Sequence, residues 1–186
     1  IYGDRCAIIG GDNGYINEGA DNSGIFCGED HDVSTDRNVI AGGYNGAING
    51  GNDNAIVAGS GNQLDASSDR CAIIGGTSNR IFDSTSDNVI VGGRSNRIYD
   101  GGSANSYCSA MLGGKDNTIT DSDYCVVAGG QNNTINAGAN YAAIIGGQDN
   151  SITATNGDFA VIIGGDNNTA QGSGSFIAGS TNSDTS

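Results

Sequence analysis

The chain has 186 residues, with 21 acids against 7 bases, a formal net charge of −14, 33 glycines and no proline. That charge opposes docking to phosphate polymers or anionic lipid, so no nucleic-acid partner is expected. No run reaches the roughly 18 apolar residues of a spanning helix, so no membrane insertion is expected either. The five cysteines, Cys6, Cys27, Cys71, Cys108 and Cys125, are odd in number and form no Cys-x-x-Cys. They signal neither a zinc site nor a complete disulfide framework, and burial as small apolar side chains is the expectation.

One unit recurs from end to end. Ala72 to Ile81 reads Ala-Ile-Ile-Gly-Gly-Thr-Ser-Asn-Arg-Ile, Val89 to Ile98 reads Val-Ile-Val-Gly-Gly-Arg-Ser-Asn-Arg-Ile, and Ala143 to Ile152 reads Ala-Ile-Ile-Gly-Gly-Gln-Asp-Asn-Ser-Ile. The first glycine of each copy, position zero, falls at Gly10, Gly28, Gly42, Gly59, Gly75, Gly92, Gly113, Gly129, Gly146, Gly164 and Gly179. A short period of about 17 residues that fills the chain predicts one all-β domain, a parallel β-solenoid (a β-roll) of about 11 coils. Helix is not expected, because glycine interrupts every candidate stretch and no 3.6-residue period persists.

Each coil should hold two short strands and two turns. Position −2 carries Ile8, Ile40, Ile73, Ile90, Ile144 and Ile162, with Phe26 and Val57 in the same row. Alternation sends this row inward with positions −4, 0, +4 and +6, so these isoleucines are the predicted core. Asn79, Asn96, Asn117, Asn133, Asn150 and Asn168 share position +4. Asn tolerates left-handed backbone and bonds nearby amides, so a stacked Asn ladder is predicted there.

The opposite parity is apolar too. Position −1 carries Ile74, Val91, Leu112, Ile145 and Ile163. A thin coil cannot hide both rows, and a long exposed apolar stripe is an aggregation hazard. This row is therefore the candidate chain–chain interface of a homo-oligomer.

Further out, position −5 runs from Arg5, Arg37 and Arg70 to Tyr124, Tyr141 and Phe159. It is read as an interface rim, with a saccharide-stacking platform as the alternative. Position −6 carries Asp4, Asp36, Asp53, Asp69, Asp123 and Asp158, which suggests charge pairing with those arginines. Calcium is the weaker reading, since the Gly-Gly-x-Gly-x-Asp nonapeptide is missing. Two irregular stretches, Gly28 to Asp32 and the insertion around Asp100-Gly101-Gly102-Ser103, should be surface loops.

Little else points to chemistry. His31 is the single histidine, flanked by Asp30 and Asp32, and reads as a solvated loop residue. No Gly-x-Ser-x-Gly and no Gly-Lys-Ser/Thr is present, so neither a nucleophile elbow nor a phosphate loop is signalled. Thr118/Thr120 and Thr153/Thr155 are too few for ice-binding ranks. Asn132 and Asn167 begin glycosylation sequons. No catalytic residue, metal or cofactor is expected.

The repeats Ala72-Ile73-Ile74-Gly75 and Ala143-Ile144-Ile145-Gly146 resemble those of YadA-like heads of trimeric autotransporter adhesins and of phage tail fibres. The resemblance implies a left-handed β-roll, three chains side by side, and a role in surface adhesion or host recognition. The expectation is thus a non-enzymatic fibre or adhesin segment, extracellular, on a cell surface or on a virion, whose partner is a surface glycan or protein receptor. Two alternatives stand beside it: a solenoid that polymerises end to end into a filament, and a polysaccharide-degrading β-helix enzyme.

Overall fold

A computed structural model of the chain describes residues 1–65, 67–83, 85–101, 107–153, 158–179 and 181–185. Gly102 and Ser103 of the insertion, and Thr155, lie outside these. The architecture is a parallel β-solenoid. Each coil contributes one strand to each of two 11-stranded parallel sheets. The first strand is typified by Ala72–Ile74 and the second by Arg80–Phe82. Every strand pairs with its counterpart one coil away, as in Val89↔Ala72 and Arg80↔Arg97. With about 4.8 Å between paired strands, eleven rungs make a rod about 50 Å long.

Two inward rows form the core. Ile40, Ile73, Ile90, Ile144 and Ile162 of the first sheet are fully buried against Ile48, Ile81, Ile98 and Ile152 of the second. Ile8 packs on this core but is only partly buried, because it lies on the first rung, where no described coil covers its outer side.

The structure corrects the register of two coils. Strand pairing matches Ile25 with Ile8 and Ile56 with Ile40. Ile25 and Ile56 are therefore the buried residues, while Phe26 and Val57 face out, each 41% exposed. Position zero in these coils is Cys27 and Ala58, not Gly28 and Gly59. It is also not an inward position, since Cys27 and Ala58 are exposed.

The cause lies in what each member of the glycine pair must do. Position zero takes left-handed backbone, φ 58° at Cys27 and 59° at Ala58, but a Cβ at Gly75, Gly92 or Gly146 would meet nothing within 4 Å. Position +1 is also left-handed, and there a Cβ would collide with the carbonyl oxygen of the same position in the next coil, as Gly93 would with Gly114. Where another coil follows, the second glycine is the obligatory one, and the second and fourth coils keep only that one. With the register restored, Val33 and Leu64 fall at position +6 with the other buried aliphatics.

These two glycines separate experimentally. Gly92→Ala incurs the left-handed penalty of about 1–2 kcal/mol. Gly93→Ala adds backbone overlap and should cost about 3–5 kcal/mol. Urea unfolding of both variants measures the difference, and equal losses would contradict the assigned roles.

Candidate functional site: corner ladders, an apolar face and a basic groove

The backbone turns at two corners in each coil, and side chains take over hydrogen bonds there. At position +4, the Asn79 Oδ1 accepts from the Asn96 N–H at 3.0 Å, and the Asn96 Oδ1 accepts from the Asn117 N–H at 3.1 Å. The row continues through Asn133, Asn150 and Asn168 to the Ser183 N–H. Asn62 belongs to it as well, accepting from the Asn79 N–H at 3.0 Å. All seven asparagines are buried. The Nδ2 groups of most of them donate to glycine carbonyls of the corner, as Asn79 does to Gly92 and Gly93. A buried amide without a partner costs about 1–3 kcal/mol, so the row satisfies an obligatory demand from the fourth coil to the tenth.

A second ladder, not foreseen from the sequence, runs along the opposite corner at position −4. The Asn38 Oδ1 accepts from the Asn54 N–H, and the Asn54 Oδ1 from the Cys71 N–H, both at 2.8 Å. Further along, Asn88 and Ser109 accept from the next coil in the same way. Cys71 and Cys125 take this position and are buried, which pushes their thiols up to about 11 and about 12. Cys6 is partly buried in the same row. Cys27 and Cys108 depart from the expected burial: both are exposed at left-handed corners and, like the other three, unbridged.

His31 is not a solvated loop residue. In the corrected register it occupies position +4 of the second coil, where the fourth to tenth coils carry Asn, and it is 1% exposed. Its Nδ1 accepts from the Gly46 N–H at 3.1 Å, the bond that an Asn Oδ1 makes elsewhere. The neutral ring then carries its proton on Nε2, which has no partner among the described residues. Burial lowers the His31 pKa, against smaller upward influences from the Gly46 hydrogen bond and from Asp30.

The carboxylates of position −6 serve the backbone. Asp36 accepts from the Asp21 N–H, Asp69 from the Asn52 N–H, Asp123 from the Tyr107 N–H and Asp158 from the Asn140 N–H, at 2.7–2.8 Å. No group of three or more His, Cys, Asp or Glu side chains that could hold a metal ion occurs among the described residues. The arginines pair along position −5 instead, Arg37 with Asp53 and Arg70 with Asp87, each through two nitrogens. Asp53 therefore belongs to the −5 row. Further along −5, Tyr124, Tyr141 and Phe159 stack ring on ring at 5.0 and 5.1 Å. Their faces cover one another, so the row offers sugars mainly ring edges. At the insertion, Asp121 accepts from the Gly101 N–H, and desolvation followed by its contact with Asp100 pushes its carboxyl up to about 6.

The two outward faces differ. On the first sheet Ile74, Val91, Leu112, Ile145 and Ile163 are 39–48% exposed. They form a column, interrupted by the smaller Ala128, beside the side chains of position −3. On the second sheet the outward positions are mixed: Thr118, Thr134, Ser151 and Thr169 are polar, Tyr15 is exposed, and Phe82 and Tyr99 stack with centroids 4.9 Å apart. Asn132 and Asn167 are exposed at left-handed corners, and their amides donate to Asp149 and Asn182. A groove of about 480 Å³ crosses the second-sheet side near Gly61, Arg80 and Arg97. Comparison with known proteins finds no matching family model, curated protein or solved structure.

The histidine rung makes a pH prediction with a definite sign. The ordinary pKa is 6.5 and the folded value is lower, so the unfolded chain binds the proton first. The stability that neutral His31 contributes is present above pH 6.5 and is lost as pH falls through its depressed folded value. His31→Asn restores the usual ladder residue and should remove this loss. Amide exchange at Gly46 in both proteins, from pH 7.5 down to 5, checks it. A wild-type rung equally protected at both ends of that range would contradict it.

Proposed function

We propose that this chain is a rigid, non-enzymatic segment of an extracellular, cell-surface or virion fibre, assembled side by side with copies of itself. The observation that carries this reading is the exposed column Ile74, Val91, Leu112, Ile145 and Ile163, which with Ile9, Phe26 and Val57 in the same row extends over most rungs of one sheet. An apolar stripe that extends along a rod is best covered by a partner of the same length and repeat, and another copy of the chain supplies both. The adhesin and tail-fibre resemblance favours three chains around a common axis. The ladders give such a rod stiffness, and a surface glycan or protein is the expected receptor.

Ile145→Asp tests the assembly. It places an unpaired charge in every copy of the interface, at a cost of several kcal/mol per chain. Sedimentation should show the wild type at about three chain masses and the variant as monomer or aggregate. Gln148→Asp, on an exposed corner, should keep the wild-type mass and shift stability by less than about 0.5 kcal/mol. A wild type that sediments as a monomer, or an Ile145→Asp protein of unchanged mass, would overturn side-by-side packing. Open-ended polymers would point to end-to-end stacking instead.

A further inference from the structure

Seven basic residues serve the whole chain, and four of them, Arg80, Arg94, Arg97 and Lys115, fall within three consecutive coils. They stand as two like-charged neighbours across the rungs: Arg80 beside Arg97 in paired strands, and Arg94 beside Lys115 at bridged positions. Like charges placed side by side across a ladder repel, which leaves the Arg80–Arg97 pair disposed toward an anion, whereas Lys115 is engaged by Asp116 at 3.3 Å. Arg80 is partly engaged, its Nε on Asp65 at 2.7 Å and its guanidinium 4.3 Å above the Phe82 ring. Arg97 is exposed, and its side chain has no hydrogen bond or ion pair among the described residues.

Both arginines border the groove of about 480 Å³, with Asn45, Gln63 and Ser78 along it. Its depth comes from one residue. Gly61 stands at position +3, where the other coils carry Asn, Ser or Asp, among them Asn45, Ser78 and Asp116. The missing side chain opens the space between Asn45 and Ser78. Left-handed backbone is common to this position, with φ 63° at Gly61, 52° at Asn45 and 55° at Asn132, so glycine is not needed there for the turn.

We infer that this groove binds a carboxylated saccharide, with Arg97 and Arg80 on the carboxylate and the amide and hydroxyl side chains on sugar hydroxyls. A guanidinium recognises a planar carboxylate through two parallel hydrogen bonds. The groove crosses successive rungs about 4.8 Å apart, a spacing close to the advance of one pyranose unit. The net charge of −14 repels polyanions at long range, so affinity for a short carboxylated saccharide rests on the close bidentate contacts that Arg97 and Arg80 supply. This inference builds on the fibre reading and specifies its receptor class. The groove lies away from the first sheet's apolar face, so saccharide binding and assembly are measured separately.

Isothermal titration with trigalacturonate, alongside neutral galactotriose and inorganic sulfate, tests it on the intact chain. Trigalacturonate should bind saturably, and galactotriose at least tenfold more weakly. Arg97→Gln removes the carboxylate contact and should weaken trigalacturonate at least tenfold, about 1.4 kcal/mol. Gly61→Asn fills the groove with a residue that the same corner carries in other coils, so the variant should keep the wild-type circular dichroism while losing binding. Arg37→Gln, at a distant paired site, should bind as wild type. Absence of saturable binding, equal binding of galactotriose, sulfate binding as tightly as the trisaccharide, or unchanged affinity in both groove variants would each overturn the inference. A monomeric wild type that still binds trigalacturonate would remove the assembly and leave the groove standing.

Discussion

The structure depends on a hydrogen bond from a backbone N–H of one coil to a side chain of its neighbour. Within the strands each coil is held by ordinary ladder bonds. At the corners the left-handed residues turn the chain, and sheet pairing alone cannot supply every acceptor. Asn at position +4 and Asn, Ser or Cys at position −4 fill that role from inside the coil. Asp at position −6 does so in the opposite sense, accepting from the preceding coil. Because the bonds at the two inner rows are buried, they constrain the register as well as the stability: a coil shifted by one residue would leave donors unpaired and turn its aliphatic row outward.

This constraint explains the sidedness of the rod. Once the two inner rows are committed to the core and the corners to the ladders, only the outward strand positions remain free to vary. The first sheet fills them mostly with Ile, Val, Leu and Ala, and the second mostly with Thr, Ser, Arg and Gln beside the aromatic Tyr15, Phe82 and Tyr99. A face of the first kind favours burial, and one of the second kind favours hydrated contact. The proposed assembly and recognition would thus use different sheets of the same coil, with no change in the scaffold.

The fold class was legible because glycine pairs and aliphatic triplets recur at nearly constant spacing. The apolar outward row was legible from strict alternation within each triplet. The register of the second and fourth coils was not, because their first glycine is replaced and the pair no longer marks position zero. Backbone contact between coils makes the second glycine the fixed one, and Cys27 or Ala58 can stand in the first place. Alignment on Gly-x-x-Asn would have joined Gly59 to Asn62 and Gly28 to His31, and so revealed the histidine as a ladder member. The −4 ladder was harder to see, since Asn, Ser and Cys share it and only their common size and acceptor capacity unite them. The groove had no sequence signal beyond one glycine among asparagines, because its walls come from residues about 17 apart.

The central claim, that buried side chains accept the backbone amides of the next coil, can be observed directly by nuclear magnetic resonance. A scalar coupling across the hydrogen bond should link the Asn96 amide nitrogen to the Asn79 side-chain carbonyl carbon. It should recur at Asn117, Asn133 and Asn150, with a nitrogen–nitrogen counterpart between Gly46 and the His31 Nδ1. A well-dispersed β spectrum in which these couplings are absent, and in which the same amides exchange as fast as exposed turns, would contradict the account.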